Sequence, residues 1–358
     1  MATSAADQAL SELAGAARNI PNPYLLINQF MRREAVLSSR IEGTQASLSD
    51  LLYFEAAEEK NPKTVDVREV HNYVRALEFG LKRLSTLPVS LRLIRELHEK
   101  LMSNVRGQEK TPGEFRASQN WIGSSGCTLM DATYVPPPLF ELMPCLGDLE
   151  KYLHAPVEMP PLLRLSYIHY QFEAIHPFLD GNGRVGRLLI PLLLCEWKIL
   201  PQPLLYLSAY FEKNRSAYYD GLLAVSRKAA WEDWAIFFLR GVEQQSKDAL
   251  KRAVLLQGLA KNYRLRLQQG RESAVALKLA DQLFSTPILT VSAAEKHLGV
   301  TYATANLHVN RFVRKGILRK ATLRNWNRVF IAPEIMHIIE ASTAEEAEKP
   351  PGMSEQEL

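Results

Sequence analysis

A polar, glycine-rich segment lies between two strongly apolar helical patterns in the middle of this chain. Residues 176–187 contain one histidine, one aspartate, one asparagine, three glycines and two arginines. Apolar residues recur at helical spacing before the segment, over 162–175, and again after it, over 188–193. Charged side chains are rarely buried unless they are paired or bind something. A turn of this composition between two buried helices therefore predicts a binding site.

The composition is that of a globular protein, and it excludes several other classes. The 358 residues are 47% hydrophobic and 23% charged, and the formal net charge of +4 is too small to predict a globally basic nucleic-acid-binding chain. The three cysteines form no CxxC pair, and no zinc-ligand spacing occurs. The N-terminus lacks the pattern of a secretory signal, and the longest apolar run, 188–195, is too short to span a membrane. We therefore expect a cytoplasmic protein of roughly two domains, with no membrane partner.

Hydrophobic periodicity predicts a mainly α-helical fold. Helices are predicted over 25–42, 66–85, 90–105, 139–154, 160–175, 184–197, 214–226 and 232–268. Residues 1–20 are expected to form only a loose or short helical lead-in. Ser47 and Asp50 resemble a capping box that opens a further helix. Two β-prone runs, 119–123 and 132–135, are joined by a polar loop and followed by three prolines, which predicts a β-hairpin.

The C-terminal part of the chain has the pattern of a winged helix-turn-helix, over residues 272–340. Gly299 and Gly316 each end a short helical pattern, and the residues after Gly316 can form a pair of strands. The acidic segment 341–358 contains a Pro-Pro-Gly break and is predicted to be a disordered tail.

Basic residues concentrate within this C-terminal module. Residues 311–328 contain seven basic residues and no acidic ones, and Asn306 and His308 lie on the expected recognition helix. This is the local charge expected for contact with a phosphate backbone, which makes DNA a candidate partner through residues 301–328. Winged helices also serve as dimerisation or protein-docking modules, so a homodimer remains an alternative.

The side chains of the central segment have complementary chemistry. A glycine-rich turn that enters a helix N-terminus offers backbone N–H groups and a positive dipole end to a phosphate. Arg184 and Arg187 can take phosphate oxygens in fork geometry, and Asn182 can donate to one. Asp180 is a lone carboxylate, and a lone carboxylate together with substrate phosphates often holds Mg²⁺. Because His176 can accept a proton from a hydroxyl, the segment predicts transfer of a phosphorus group to a hydroxyl.

Residues 176–187 match the signature of Fic-domain proteins, His-x-Phe-x-Asp/Glu-Gly-Asn-Gly-Arg-x-x-Arg, at every fixed position. The chain resembles this family over about residues 20–255. Members have a mainly helical fold with a β-hairpin flap, and most characterised ones transfer AMP from ATP to a Ser, Thr or Tyr hydroxyl. The resemblance implies that His176 is the general base and that Asp180 holds Mg²⁺. Gly183 occupies the position where phosphate-transferring members carry lysine, which favours adenylylation over phosphorylation.

The resemblance also implies which residues bind ATP. Asn182 and the amides of Gly181 and Gly183 would hold the α-phosphate, and the two arginines would hold the outer phosphates. Tyr218 and Tyr219 match a family segment that lines the adenine and ribose pocket, although an aromatic pair in a helix is often part of a core. The full implied set is Glu42, His176, Gly181, Asn182, Gly183, Arg184, Val185, Gly186, Arg187, Tyr218 and Tyr219.

A second family motif, Ser/Thr-x-x-x-Glu-Gly/Asn, occurs at residues 38–43. Ser38 and Glu42 are four residues apart, on one face of the predicted helix, and Gly43 stands where a helix would end. Taken alone, so short a pattern is compatible with a solvated glutamate. Beside the central motif, the resemblance implies that Glu42 pairs with Arg187 and prevents productive binding of ATP.

The resemblance implies a division of the chain into regions. They are an N-terminal helical region 1–89 with the inhibitory motif 38–43, a catalytic domain 90–255 with the flap 119–135 and the motif 176–187, the winged helix 272–340 and the tail 341–358. In the family the flap holds a target protein by strand pairing. An ordinary surface hairpin is the alternative interpretation of these residues.

Three functions are compatible with these patterns. The first is an Mg²⁺-dependent protein adenylyltransferase that is inhibited by Glu42. The second is a de-adenylylase that uses the same site to remove AMP. The third is a DNA-binding transcription regulator that senses a nucleotide, which the intact base His176 disfavours because sensing needs no base.

Overall fold

Sixteen helices and three short strands form the secondary structure of the described residues in a computed structural model. The structure describes residues 2–19, 24–57, 64–124, 126–156, 158–270, 272–321 and 328–348. The chain is therefore mainly helical, as the sequence predicts. Within these ranges no helix is both long and apolar enough to cross a membrane.

The elements are named in chain order. The first eight helices are α1 (Ala2–Asn19), α2 (Tyr24–Ile41), α3 (Leu48–Ala56), α4 (Val65–Arg83), α5 (Leu91–Leu101), α6 (Leu139–His154), α7 (Pro161–Ile175) and α8 (Asn182–Glu196). The next three are α9 (Ser208–Lys213), α10 (Arg215–Lys228) and α11 (Trp231–Gln269). The C-terminal elements are α12 (Ala274–Ser285), β1 (Ile288–Thr290), α13 (Val291–Leu298), α14 (Tyr302–Arg314), β2 (Arg319–Lys320), β3 (Val329–Ile331), α15 (Pro333–Glu340) and α16 (Ala344–Glu348).

The contacts divide the chain into two units, each assembled from separate stretches. The first unit consists of residues 1–18, 34–45 and 68–247, and the second consists of 19–33, 46–67 and 248–358. The resemblance implies boundaries between folding domains, whereas these two units are defined by the density of contacts. The predicted domain boundaries therefore remain predictions.

Helix α8 is central to the first unit, since it packs against both α7 and α5. Its side chains from Leu188 to Leu194 are buried all round, which is the property of a helix inside a core. Helix α5 is amphipathic instead, with Leu93, Ile94 and Leu97 fully buried. Ser90 caps α5 by accepting a hydrogen bond from the amide of Leu93, so this helix begins where the sequence predicts.

The second unit contains the helices α13 and α14 and the paired strands β2 and β3, in the part of the chain where the sequence predicts a winged helix-turn-helix. Threonine N-caps open α13 and α14, and Gly299 ends α13 in the left-handed conformation, with a φ of 67°. The three strands form an antiparallel sheet in the order β1-β3-β2, with Ile288 and Arg319 both paired to Ile331. Strand β1 was not predicted, because three residues are too few to give an alternating pattern.

Several sequence-based expectations differ from the structure. Residues 2–19 form a complete helix rather than a loose lead-in, because Ala6, Leu10 and Leu13 recur at helical spacing and are buried. Helix α9 was not predicted, and it has only six residues. Residues 344–348 are helical rather than disordered, since Ala344 is buried and its amide donates to Asp248. The rest of the predicted tail, 349–358, lies outside the described residues.

The predicted hairpin is reduced to a single antiparallel bridge between Ile122 and Tyr134. The two residues exchange both backbone hydrogen bonds, at 2.9 and 3.1 Å. A short 3₁₀ turn, Leu129–Asp131, lies in the loop between them. Prolines 136–138 follow the bridge and cannot donate to a ladder, so the pairing does not extend in that direction.

We predict that Leu97→Ala destabilises the chain by about 2–5 kcal/mol, because it leaves a cavity between α5 and α8. Leu139→Ala is the matched control, since that leucine is 44% exposed and its truncation should change stability by about 0.5 kcal/mol or less. Chemical denaturation measures both. Equal losses for the two variants would contradict the described core.

Candidate active site

The predicted binding segment forms the turn between α7 and α8. His176 ends α7 in the left-handed conformation, with a φ of 49°, and Gly181 precedes α8 with a φ of 77°. The first bond of the α8 ladder is donated by the amide of Val185 to the carbonyl of Gly181, at 3.1 Å. The amides of residues 182–184 therefore have no partner within the helix and lie at its positive end. We call residues 181–187 the cradle.

Asn182 braces the turn with its side chain. Its Oδ1 accepts from the amide of Phe178, and its Nδ2 donates to the carbonyl of Phe178, each at 2.8 Å. The side chain is buried. It therefore shapes the turn, and a contact between residue 182 and a phosphate would fall to its backbone N–H.

His98, which sequence reasoning missed, holds the same turn from α5. The amide of Gly113 donates to His98 Nδ1 at 2.8 Å, so Nε2 carries the proton and donates to the carbonyl of Asp180 at 3.0 Å. The imidazole also stacks on Phe178, with the ring centroids 3.8 Å apart. Burial lowers the pKa of His98 to about 4, so this tautomer stays neutral.

Asp180 offers a partly exposed carboxylate at the edge of the cradle. Its Oδ1 accepts from the amide of Gly181 at 2.6 Å and lies 3.6 Å from Arg184 Nη2. Its Oδ2 lies 3.4 Å from Lys110 Nζ. Within the described residues, no three His, Cys, Asp or Glu side chains come together as a metal site. A lone carboxylate of this kind fits Mg²⁺ that is held jointly with phosphate oxygens.

The two arginines of the cradle are buried in different environments. Arg184 is 5% exposed, and its Nε and Nη1 have no hydrogen-bond partner, although Glu69 Oε2 lies 3.7 Å from Nη1. Unsatisfied buried guanidinium donors are costly. The positive charge of Arg184 is therefore balanced by the carboxylates of Glu69 and Asp180, 3.7 and 3.6 Å from its Nη1 and Nη2.

Arg187 donates to the motif at residues 38–43 through its Nε and Nη2. Its Nε donates to Ser38 Oγ at 2.8 Å, and its Nη2 donates to the carbonyl of Ser38 at 3.0 Å and to Glu42 Oε1 at 2.6 Å. The carbonyl of Ser38 belongs to the last turn of α2, where carbonyls lack ladder partners and cations are favoured. The pair that the resemblance implies, Glu42 with Arg187, is therefore present in the structure.

Glu42 lies just beyond the end of α2, and the chain turns at Gly43 with a φ of 96°. Burial acts to raise the pKa of the Glu42 carboxyl, but the charge and hydrogen bond of Arg187 outweigh it and hold that pKa below its usual value. A side chain at Gly183 would collide with Glu42 and would lie 2.9 Å from Arg187 Nη1. Glycine at 183 therefore leaves the space in which this pair forms.

Glu34 anchors the inhibitory helix, and sequence reasoning missed it. Its carboxylate accepts from Ser208 Oγ at 2.5 Å, from the amide of Ser208 at 3.2 Å and from Tyr73 Oη at 3.1 Å. It is 2% exposed, and it lies one turn before Ser38 on the same helix. This carboxylate therefore holds the part of α2 that carries the inhibitory motif.

His176 is held with one ring nitrogen available. Its Nδ1 lies 3.4 Å from the carbonyl of Glu173, which can only accept, so Nε2 carries the free lone pair. Burial lowers the pKa of His176 to about 4. Arg116 Nε and Asn120 Nδ2 donate to its backbone carbonyl at 3.2 and 3.3 Å, which fixes the strained residue in place.

A cavity of about 580 Å³ opens beside these groups. Its lining contains Glu42, His176, Gly183, Arg187, Tyr218 and Tyr219 from the predicted set, together with Trp121, Ile122, Thr133 and Tyr134 from the flap. The cavity therefore joins the predicted base, the inhibitory glutamate, an arginine and the flap. It also contains an unpredicted carboxylate, Glu173, whose buried Oε1 has no hydrogen-bond partner and whose pKa is raised by burial to about 7.

Three of the predicted ATP-binding side chains have other surroundings. Tyr218 is 1% exposed and its hydroxyl hydrogen-bonds to His169 Nε2 at 2.9 Å, so only its ring can face a ligand. Val185 is fully buried in the core of the unit and its side chain does not line the cavity, so binding of ATP by residue 185 stays a prediction. Gly186 packs against Glu173. Both residues were included because they stand inside the motif, where helical geometry turns them away from its open end.

Comparisons with protein families support the sequence resemblance. Residues 1–82 match the model of the Fic/DOC family N-terminal region, and residues 88–194 match that of the Fic/DOC family. The proteins named "Protein adenylyltransferase Fic" from Drosophila persimilis and Drosophila ananassae are each 30% identical to this chain over 131 residues. That stretch is 35% of this chain and 24% of either relative, so the chain spans about a quarter of their length.

Solved structures share the fold. A Fic family protein from Desulfovibrio desulfuricans G20 has a TM-score of 0.58 and 20% identity, covering 92% of this chain and 95% of that protein. Residues 134–508 of Fic-1 from C. elegans give a TM-score of 0.52 and 22% identity, with 72% of each chain covered. At 20% and 22% identity, these two similarities show a shared fold only.

We predict that the imidazole of His176 stays neutral until the pH falls to about 4, because burial disfavours its charged form. NMR of histidine-labelled protein measures the titration, and the signal missing from a His176→Gln variant identifies the residue. A midpoint near the usual value of about 6.5 would mean that the imidazole is not buried as described.

Proposed function

This chain belongs to the Fic/DOC family, and from that membership we propose that it is a protein adenylyltransferase inhibited by its own Glu42. It transfers AMP from ATP to a Ser, Thr or Tyr hydroxyl of a target protein or of itself. The observation that carries the proposal is the neutral histidine beside a helix N-terminus whose first amides have no partner in the helix, with Arg187 lining the same cavity. That pairing of a base with an anion site suits attack of a hydroxyl on a phosphate ester.

His176 acts as the general base. Its Nε2 accepts the proton of the target hydroxyl, whose oxygen forms a new bond to the α-phosphorus. The bond between the α-phosphorus and its bridging oxygen to the β-phosphorus breaks, and diphosphate leaves. The low pKa of His176 keeps the base form present at neutral pH, because the imidazole is protonated only below about pH 4.

The cradle binds the polyphosphate. Its N-terminal amides hold the α-phosphate through the dipole and hydrogen bonds of α8, and Arg184, which lies beside Asp180, takes outer phosphate oxygens. Asp180 would hold Mg²⁺, which supplies neutralisation of the charge on the leaving diphosphate. The flap 119–135 lies on the cavity and would hold the target segment beside His176.

Glu42 inhibits the reaction by occupying Arg187. With Nε bound to Ser38 and Nη2 bound to Ser38 and Glu42, Arg187 cannot offer these two donors as a fork to a γ-phosphate, so ATP binds without alignment for in-line attack. Removal of the carboxylate would release this arginine to the substrate.

We predict that Glu42→Gly raises AMP transfer about tenfold or more, since a charge-assisted hydrogen bond to the released arginine contributes about 1.5–3 kcal/mol. Mass spectrometry after incubation with ATP and Mg²⁺ detects the AMP adduct, with automodification as the first signal. Adding His176→Ala should reduce transfer by about 10²–10⁴-fold, the usual contribution of a positioned base. An equal weak signal with and without Glu42 would rule out the inhibitory role.

The same site could instead remove AMP, with Glu42 orienting a water molecule for attack. In that case Glu42→Gly would abolish the release of AMP from a modified protein and would not increase transfer. The two directions are thus separated by the sign of the effect of a single substitution.

We also propose a second function for residues 301–328, which is DNA binding. It is favoured by exposed basic residues at the end of α14 and along β2, namely Arg314, Arg319 and Lys320. His308 is buried, and Asn306 Oδ1 already accepts from Arg328 at 2.7 Å and from Asn310 at 3.1 Å. Contact would therefore rest on phosphates, with little sequence preference. Coupled to the nucleotide site, such binding would make the chain a regulator of transcription.

We predict that the chain binds duplex DNA at low salt and that Arg319→Ala weakens binding by a similar factor for every sequence. Loss of one phosphate contact should reduce the slope of log affinity against log salt by about 1. Lys261→Ala, an exposed lysine on α11, is the control. Absence of gel shifts even at low salt would rule out this second function.

A further inference from the structure

Lys110 is a basic side chain at the edge of the cradle that the mechanism above does not use. Its Nζ lies 3.4 Å from Oδ2 of Asp180, the carboxylate to which Mg²⁺ is assigned. Its side chain is 44% exposed, so the ammonium group borders solvent on the side away from Asp180. Neither the central motif nor the inhibitory motif includes it, because it precedes Asp180 by 70 residues.

The loop that carries Lys110, residues 102–116, is held in a defined conformation. Asn104 and Thr111 have positive φ values of 56° and 49°, which bulky chains adopt only when their surroundings impose them. Gly113 is fixed by its bond to His98, and Arg95 Nε donates to its carbonyl at 2.7 Å. The loop is thus tied to the same histidine that holds Asp180.

Gly107 brings this loop against the carboxylate. A Cβ at that position would lie 2.7 Å from Asp180 Oδ2, so only glycine allows the backbone to approach so closely. The amide of Lys110 donates to the carbonyl of Gly107 at 2.9 Å, which forms the turn that presents the lysine. The conformation of the loop therefore places the backbone of Lys110 close to Asp180.

The charges around Asp180 require an anion once a divalent cation is bound. Lys110 and Arg184 already lie 3.4 and 3.6 Å from its two oxygens. Arg184 also has the carboxylate of Glu69 3.7 Å from its Nη1, but a cation bound to Asp180 would still compete with Lys110 for one carboxylate, which is unfavourable without further anions. A diphosphate supplies several negative charges at that place, whereas the α-phosphate is assigned to the amides at the start of α8.

We infer that Lys110 binds the β- and γ-phosphates of ATP and the diphosphate that leaves, an inference that rests on the proposed adenylyl transfer. Before the substrate binds, Lys110 pairs with Asp180. When metal and nucleotide enter, its ammonium group turns from the carboxylate to the phosphate oxygens beside it. It is a binding residue for the leaving group and takes no part in proton transfer.

The test compares the two products of the reaction as ligands. Lys110→Met is made in the Glu42→Gly chain, where Arg187 is free, and calorimetric titration measures binding of diphosphate and of AMP, each with Mg²⁺. We expect diphosphate to bind about tenfold more weakly and AMP less than about twofold more weakly, the size of one lost charge-assisted contact. Lys110→Arg should restore most of the loss. Lys151→Met, an exposed lysine on α6, should change neither affinity, and thermal unfolding checks that all variants are folded.

Two results would overturn the inference. Unchanged diphosphate binding would mean that Lys110 serves only as a partner of Asp180. Equal weakening of diphosphate and AMP would mean that it acts by shaping the loop. If the Glu42→Gly chain transfers no AMP while Lys110→Met selectively weakens diphosphate, the adenylyltransferase proposal fails and the lysine remains a diphosphate ligand.

Discussion

The guanidinium of Arg187 is 1% exposed, and the need to compensate its buried charge organises the site around it. A serine hydroxyl, a helix-end carbonyl and the carboxylate of Glu42 surround it. Loss of one partner from a buried pair costs about 3–5 kcal/mol, and the cost is smaller here because the Glu42 side chain is 35% exposed. The arginine therefore needs an anion in every state, supplied either by the chain or by a ligand. In the function that we propose, the carboxylate of Glu42 in the inhibited state and a phosphate of ATP in the active state both meet this requirement.

The conformation of the turn depends on side chains that bind backbone rather than ligand. Asn182 closes the turn on Phe178, His98 holds the carbonyl of Asp180, and Arg116 holds the carbonyl of His176. Each satisfies a backbone carbonyl of the turn, and Asn120 shares two of these carbonyls, those of His176 and Phe178. The cradle is thus preorganised, and its free donors are left to the helix N-terminus and to Arg184. Because these side chains hold the backbone of the turn, the short segment can contain both a histidine with positive φ and amides that have no partner within the helix.

Much of the local structure was predictable from the sequence. The capping box of Ser47 and Asp50 is present, Gly43 has the positive φ of a helix-ending glycine, and the turn lies between two buried helices. These features depend on neighbours within a few residues. The flap was predicted less well, because its pairing consists of one bridge, and strand runs of four or five residues carry little information on how far a ladder extends.

The sequence by itself determined the chemistry of the site, since a base, a carboxylate, glycines and arginines within twelve residues have few other uses. Only the tertiary structure decided which of these groups are hydrogen-bonded to distant parts of the chain and which can bind a ligand. Glu34 reaches Ser208 across 174 residues and His98 reaches Asp180 across 82, and no local pattern marks such partners. It also buried Val185 away from the cavity, placed Glu173 in the cavity lining and placed Lys110 beside Asp180. The physical reason is that a motif specifies the order of side chains along a helix. Whether a given side chain faces ligand or core depends on the neighbouring helices against which that helix packs.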